Sequence, residues 1–177
     1  MKKVFAVSVV LLLSLLWAVG CTSNTQPQQS PQNTATMQEE GEELMVTLYY
    51  ADSELMGLVT EEREITVPQG EEAILLAVRE LTKEPQEPDS VVLMPLETEV
   101  LWVDAAENII TINFNENIRD NFYGGSSSEA LLVASIVNTV TGFDGYQDYK
   151  VRFLINGEPF DSIGGHLSAE ELFERQQ

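Results

Sequence analysis

Cationic and metal-binding side chains are scarce in this chain. Nine Lys and Arg stand against 29 Asp and Glu in 177 residues, for a formal charge of -20 at pH 7. Proteins that hold nucleic acid neutralise phosphates with Lys and Arg, so this balance excludes a nucleic-acid partner. The same field is repelled by anionic headgroups and keeps the folded part off a membrane surface. One Cys and one His are present. A single Cys permits no disulfide within the chain, and with only one imidazole beside it no zinc or copper site of nitrogen and sulfur ligands can be built. No metal and no cofactor is implied. Long apolar runs are also missing, since the run Val4–Trp17 falls short of the about 20 residues that a spanning helix needs.

That run still carries the first positive signal. Lys2 and Lys3 precede it and small residues lead from it to Cys21, which is the order of a cleaved signal peptide. The box Ala18-Val19-Gly20-Cys21 resembles that of bacterial lipoproteins, where the Cys becomes the lipidated mature N-terminus. Residues 1–20 therefore read as a signal peptide and Cys21 as the lipid attachment site. Acyl chains contribute about 0.8 kcal/mol per buried methylene, so several together anchor a protein without a spanning helix. The expected location is the extracytoplasmic face of the cell membrane, with the membrane itself a partner through the N-terminal lipid. Residues 21–43 are rich in Gln, Ser, Thr, Asn, Pro and then Glu, lack the large apolar residues that offset ordering entropy, and read as a disordered tether.

Patterned sequence begins at Leu44. Val46, Leu48 and Tyr50 alternate with Met45, Thr47 and Tyr49 in the period of a strand, and a shorter strand is expected over Arg63–Val67, stopped by Pro68. Glu71–Lys83 sets Ile74, Ala77, Val78 and Leu81 on one stripe, with acids at its start and Lys83 at its end, as a helix dipole favours. Lys83–Ser90 reads as a loop. Glu99–Val103 and Ile109–Phe114 are expected to pair as a hairpin. Gly124-Gly125 then opens onto Ser126-x-x-Glu129, a capping-box pattern before Ala130–Val140, a run so apolar that its helix must be covered on more than one side. Val151, Phe153 and Ile155 alternate into the tight-turn pair Asn156-Gly157, with a short returning strand expected at Pro159-Phe160 and a last short helix capped by Ser168. The fold class is α+β: a single compact domain over residues 44–165 with a mixed sheet and two helices in the order ββαββαββ, followed by a tail at 166–177.

These residues resemble the GerMN domain, the module of bacterial sporulation and spore germination proteins. The match rests on Val46-Thr47-Leu48-Tyr49-Tyr50, Glu62-Arg63-Glu64-Ile65, Gly124-Gly125-Ser126, the helix segment Leu132–Thr141, and Val151-Arg152-Phe153-Leu154-Ile155-Asn156-Gly157-Glu158-Pro159. The resemblance implies an envelope-exposed domain, often carried on lipoproteins, used in assembly or in contact with other envelope components. It implies no catalytic residue.

Candidate chemistry is thin beside that reading. Ser126, one of Asp144, Asp148 or Asp161, and the lone His166 follow the chain order of an α/β-hydrolase triad. The pattern lacks the second Gly of G-x-S-x-G, and a turn with a helix cap explains Gly124, Gly125 and Ser126 more simply. The oxygen-rich stretch Asn113, Asn115, Glu116, Asn117 and Asp120 offers calcium ligands without EF-hand spacing. Acid pairs such as Glu61-Glu62, Glu71-Glu72 and Glu170-Glu171 read as solvated faces, and Trp102 as a core or interface aromatic. The expectation is a non-enzymatic, membrane-anchored lipoprotein whose domain binds an envelope protein or peptidoglycan. The alternatives are a cell-wall hydrolase using Ser126 and His166, or a calcium-dependent assembly module.

Overall fold

The computed structural model describes residues 41–176, so the expected signal peptide, Cys21 and most of the expected tether lie outside the described residues. Strands β1 (Gly41–Asp52) and β2 (Leu58–Pro68) form a long antiparallel hairpin in unbroken register from Gly41↔Pro68 to Ala51↔Leu58. The alternation that predicts these strands is realised, with Val46, Leu48 and Tyr50 buried. The pairing runs further than the apolar residues alone indicate, so the domain begins before residue 44. Helix α1 (Ala73–Glu80) follows. It buries Ile74, Ala77 and Val78 as expected but is shorter than 71–83, with Glu71 and Glu72 preceding its first turn.

A two-residue strand, β3 (Ser90–Val91), pairs with Ala51 and Asp52 and completes an antiparallel sheet in the order β2-β1-β3. Strands β4 (Val100–Ala106) and β5 (Ile109–Phe114) form the expected hairpin. Its turn is Glu107-Asn108, with φ of 54° and 61° at the two residues, the backbone that matches strand twist. After the one-turn helix α2 (Asn117–Asp120) and the long helix α3 (Ser126–Val140), strand β6 (Lys150–Ile155) returns parallel to β5. The second sheet therefore runs β4-β5-β6 and is the mixed one. The single domain is α+β as expected, but its order is ββαβββααβ rather than ββαββαββ, and two three-stranded sheets replace the one mixed sheet, with α1 and α3 packed against a shared core. Within α3 every residue from Leu132 to Val140 is buried, so the apolar run is indeed covered on several sides.

Three expectations are corrected. No strand forms at Pro159-Phe160: Ile155 and Glu158 make one bridge across the Asn156-Gly157 turn, and Pro159, lacking an N–H, cannot extend it. No terminal helix forms after Ser168. Instead Phe173 bridges Val151 on β6 and lays its ring 5.2 Å from that of Phe153. The tail at 166–176 is thus part of the domain, and Arg175 closes it by donating to Tyr49 Oη at 2.7 Å. The capping box is also absent, because Gly125 is the N-cap and Ser126 already lies in the helix.

Glu61 departs from the solvated face expected of it. Alternation along β2 turns Glu61, Arg63 and Ile65 inward together, and Glu61 and Arg63 are only 4% and 7% exposed. Two buried charges are tolerated because each is fully engaged. Arg63 Nε donates to Glu61 Oε1 at 2.8 Å, Nη1 to Glu80 Oε2 at 3.1 Å and Nη2 to the Glu84 carbonyl at 3.2 Å. The other Glu61 oxygen accepts the Gln86 N–H at 2.6 Å. Tyr50 lies beneath the guanidinium, and burial pushes its phenol up to about 12. This cluster ties the loop after α1 to the hairpin. Arg63→Ala leaves the Glu61 carboxylate buried and unpaired and should cost about 3–5 kcal/mol in chemical denaturation. The double replacement of Glu61 by Leu and Arg63 by Met should cost less than that single change, because no lone charge remains.

Candidate functional site

Three exposed apolar side chains, Leu55, Leu96 and Tyr123, share one groove. Leu55, Leu96 and Tyr123 stand at its rim, and Val91, Leu93 and Met94 lie along it, enclosing about 710 Å³. Leu96 and Tyr123 are 83% and 102% exposed, and Met56, next to Leu55, is 81% exposed. A soluble surface seldom concentrates such residues unless they meet another molecule. Among the described residues, the charged side chains lining the groove are Glu84 and Glu97, with no Lys or Arg.

Local hydrogen bonds hold these apolar groups outward. At the tip of the β1–β2 hairpin, Asp52 Oδ1 accepts the N–H groups of Glu54 and Met56, both at 3.0 Å, and the Asp52 carbonyl accepts that of Leu55. Across the groove, Asn115 and Asn117 each donate to the Glu97 carbonyl at 2.9 Å, and Asn121 donates to the Leu96 carbonyl at 2.8 Å. Leu55 and Glu97 both have positive φ, 56° and 62°. That region costs a non-glycine residue about 1–3 kcal/mol and persists only where the surroundings enforce it. The groove also borders Thr98, whose buried hydroxyl has no hydrogen-bond partner.

The oxygen-rich stretch braces this rim and the turns beside it. Asn115 and Asn117 spend their amides on Glu97, Asn113 Oδ1 accepts the Gly157 N–H at 2.7 Å, and Asp120 accepts from Arg119. Glu116 accepts from Asn156 Nδ2 at 2.8 Å, which holds its carboxyl below the usual range. Among the described residues no cluster of three His, Cys, Asp or Glu is placed to hold a metal ion.

The hydrolase candidates are not joined either. Ser126 is exposed, and no hydrogen bond links it, Asp144, Asp148 or Asp161 to His166. The His166 ring faces Glu129, with Nδ1 3.0 Å from Oε2. Glu129 is fully buried, and its carboxylate accepts the N–H groups of Gly164 at 2.8 Å and His166 at 2.9 Å. A Cβ at Gly164 would lie 2.5 Å from the Phe122 ring, so only glycine permits this approach. The motif Ser126-x-x-Glu129 thus contributes a carboxylate that fastens a distant loop.

The model of a family described as sporulation and spore germination, Germane, matches residues 47–161. The chain belongs to the Germane family. Solved structures share its fold, two of them GerMN domains. A candidate lipoprotein from Clostridium perfringens superposes with a TM-score of 0.52 at 21% identity, over 75% of this chain and 87% of that one. The first GerMN domain of the sporulation protein GerM from Bacillus subtilis gives 0.52 at 20%, over 72% and 99%. The tandem GerMN domains of the same protein give 0.54 at 21%, over 73% of this chain and 47% of that one. Comparison with curated protein sequences finds no match. Among the described residues no helix is long and apolar enough to cross a membrane.

In this GerMN domain Glu129 supplies the clearest titration. Burial alone would raise its pKa, but the amides of Gly164, His166 and Leu167 and the His166 ring outweigh burial and hold it below the usual 4.5. As pH falls the unfolded chain binds the proton first. The stabilisation from Glu129 is therefore complete above the unfolded value and is lost as pH falls through the lower folded value. Glu129→Gln, which turns an NH2 toward N–H donors, should cost about 1–3 kcal/mol at neutral pH. Denaturation at a series of pH values should also show a shallower loss of stability below about pH 4.5 in Glu129→Gln than in the wild type.

Proposed function

We propose that this protein is a non-catalytic envelope lipoprotein, anchored to the extracytoplasmic face of the cell membrane through lipid on Cys21. Its GerMN domain docks an apolar segment of another envelope protein during sporulation or germination. The observation that carries this reading is the braced apolar groove of Leu55, Leu96 and Tyr123 on a chain of charge -20. Its Val, Leu and Met lining suits protein side chains better than glycan, whose hydroxyls need polar partners. Glu84 and Glu97 select a segment whose apolar residues are flanked by Lys or Arg. The positive φ of Leu55 and Glu97 and their hydrogen bonds fix the rim before a partner arrives, which lowers the ordering cost of binding.

A photo-activatable residue at position 123 in the native cells should form a discrete protein adduct. Leu96→Ser should reduce its yield about tenfold, equivalent to about 1.4 kcal/mol. The same substitution should leave the melting temperature within about 2 °C, since Leu96 is exposed. Co-sedimentation with peptidoglycan that is lost in Leu96→Ser, with no protein adduct, would favour the wall as ligand instead. For the anchor, cells fed an alkyne-bearing fatty acid should label the wild-type chain and not Cys21→Ala.

A further inference from the structure

We propose that the edge of β1 between Glu43 and Thr47 is a strand-addition site for an extended, Lys- and Arg-bearing segment of another protein. This is a second site, and it stands whether or not the apolar groove is occupied. In an antiparallel ladder the N–H and C=O groups of successive residues point to alternate edges. Tyr49 turns its pair away from β2, its N–H donating to Thr139 Oγ1 at 3.1 Å and its C=O accepting from Ser135 Oγ. The register is unbroken from Gly41 to Ala51, so Thr47, Met45 and Glu43 turn theirs the same way. On that side β3 reaches only Ala51 and Asp52. Among the described residues, the backbone groups of Glu43, Met45 and Thr47 on this edge have no hydrogen-bond partner.

Such an edge is a template for another strand, with main-chain hydrogen bonds supplying affinity and adjoining pockets supplying specificity. A hollow of about 320 Å³ adjoins this one, lined by Leu44, Val46, Phe143 and Tyr146. It would take an apolar side chain of the added strand. Asp144 lines the hollow, Glu42 and Glu43 lie on the strand itself, and among the described residues no Lys or Arg lines it. A second copy of this chain would bring Glu42 and Glu43 against acids on a molecule of equal charge. Opposite charge is the better complement.

The test uses the full chain in a non-ionic detergent and a fluorescent peptide, acetyl-Lys-Thr-Val-Thr-Val-Thr-Lys-amide. Met45→Pro removes an N–H from the open edge and none from the β1–β2 ladder, a place where a strand tolerates proline. The expected result is peptide binding that weakens with salt, falls about tenfold in Met45→Pro, and is unchanged in Leu96→Ser. Hydrogen exchange on the wild-type chain serves as the measurement that needs no variant. The amides of Glu43, Met45 and Thr47 should exchange fast alone and slowly with peptide. Unchanged binding in Met45→Pro, or no slowing of these amides, overturns the proposal. Slow exchange without peptide that depends on protein concentration identifies a second copy as the occupant and overturns it too. Loss of binding in Leu96→Ser alone would place the peptide in the groove, overturning this site while leaving the groove reading intact.

Discussion

Helix α3 is covered along most of its length, and its buried polar side chains take backbone groups from other segments. Ser135 and Thr139, one turn apart on one face, engage the carbonyl and the N–H of Tyr49, as a neighbouring strand would. Glu129 holds the amides of Gly164 and His166. Asn138 accepts the Gln176 N–H at 3.0 Å and donates to its carbonyl at 3.2 Å, while Arg175 reaches the Asn138 carbonyl and Thr141 Oγ1. Polar groups in a low-dielectric interior are costly when unpaired, so each of these contacts is specific about its partner. The helix therefore fixes where the first sheet stops, where the loop after β6 lies and where the tail returns.

That arrangement also sets the places of the two surfaces proposed for binding. The groove reaches Ser128 in the first turn of α3, whereas the hollow beside β1 reaches Thr139 in its last. At 1.5 Å per residue these positions lie about 17 Å apart along the axis, too far for one short side chain to serve both. The rim of the groove is built differently from the core. It relies on Asp52 and three asparagines holding backbone in place, not on packing. Leu96 and Tyr123 consequently stay in water without a fold-level reason to do so, and this is the exposure that the proposed docking would use.

Period-2 alternation made β1, β5 and β6 legible, since Val46, Ile112 and Phe153 each belong to a buried face. The apolar run made α3 legible. What alternation cannot show is long-range pairing. Ser-x-x-Glu has the same spacing whether the Glu turns back to the N-cap or inward to a loop 35 residues away, and only Gly164 decides it. Glu61 reads as one of many surface acids because two of the groups that settle its pair with Arg63 are distant in sequence, the Gln86 N–H that its second oxygen accepts and the Glu80 carboxylate that also holds Arg63. The Asn-rich stretch resembled a calcium loop by oxygen count. Its preference for amides over carboxylates has a physical reason, because Asn115, Asn117 and Asn121 are needed as donors to carbonyls. The short strand β3 left no pattern at all, being two residues long.

The acidity joins these features. An apolar groove and an open strand edge are both aggregation hazards, and the proposed lipid anchor would bring copies together often. Like charge opposes that encounter within a Debye length of about 8 Å at physiological salt, and anionic headgroups are repelled by the same field. The seven cations that remain beyond the expected signal are largely engaged: Arg63 is buried, and Arg79, Lys83, Arg119, Lys150 and Arg175 hold acids, carbonyls or Tyr49. Little positive potential is left to oppose a basic partner. A charge balance that first reads as simple solubility would therefore also act as a filter at the two proposed surfaces, favouring cationic segments over anionic lipid or a second copy.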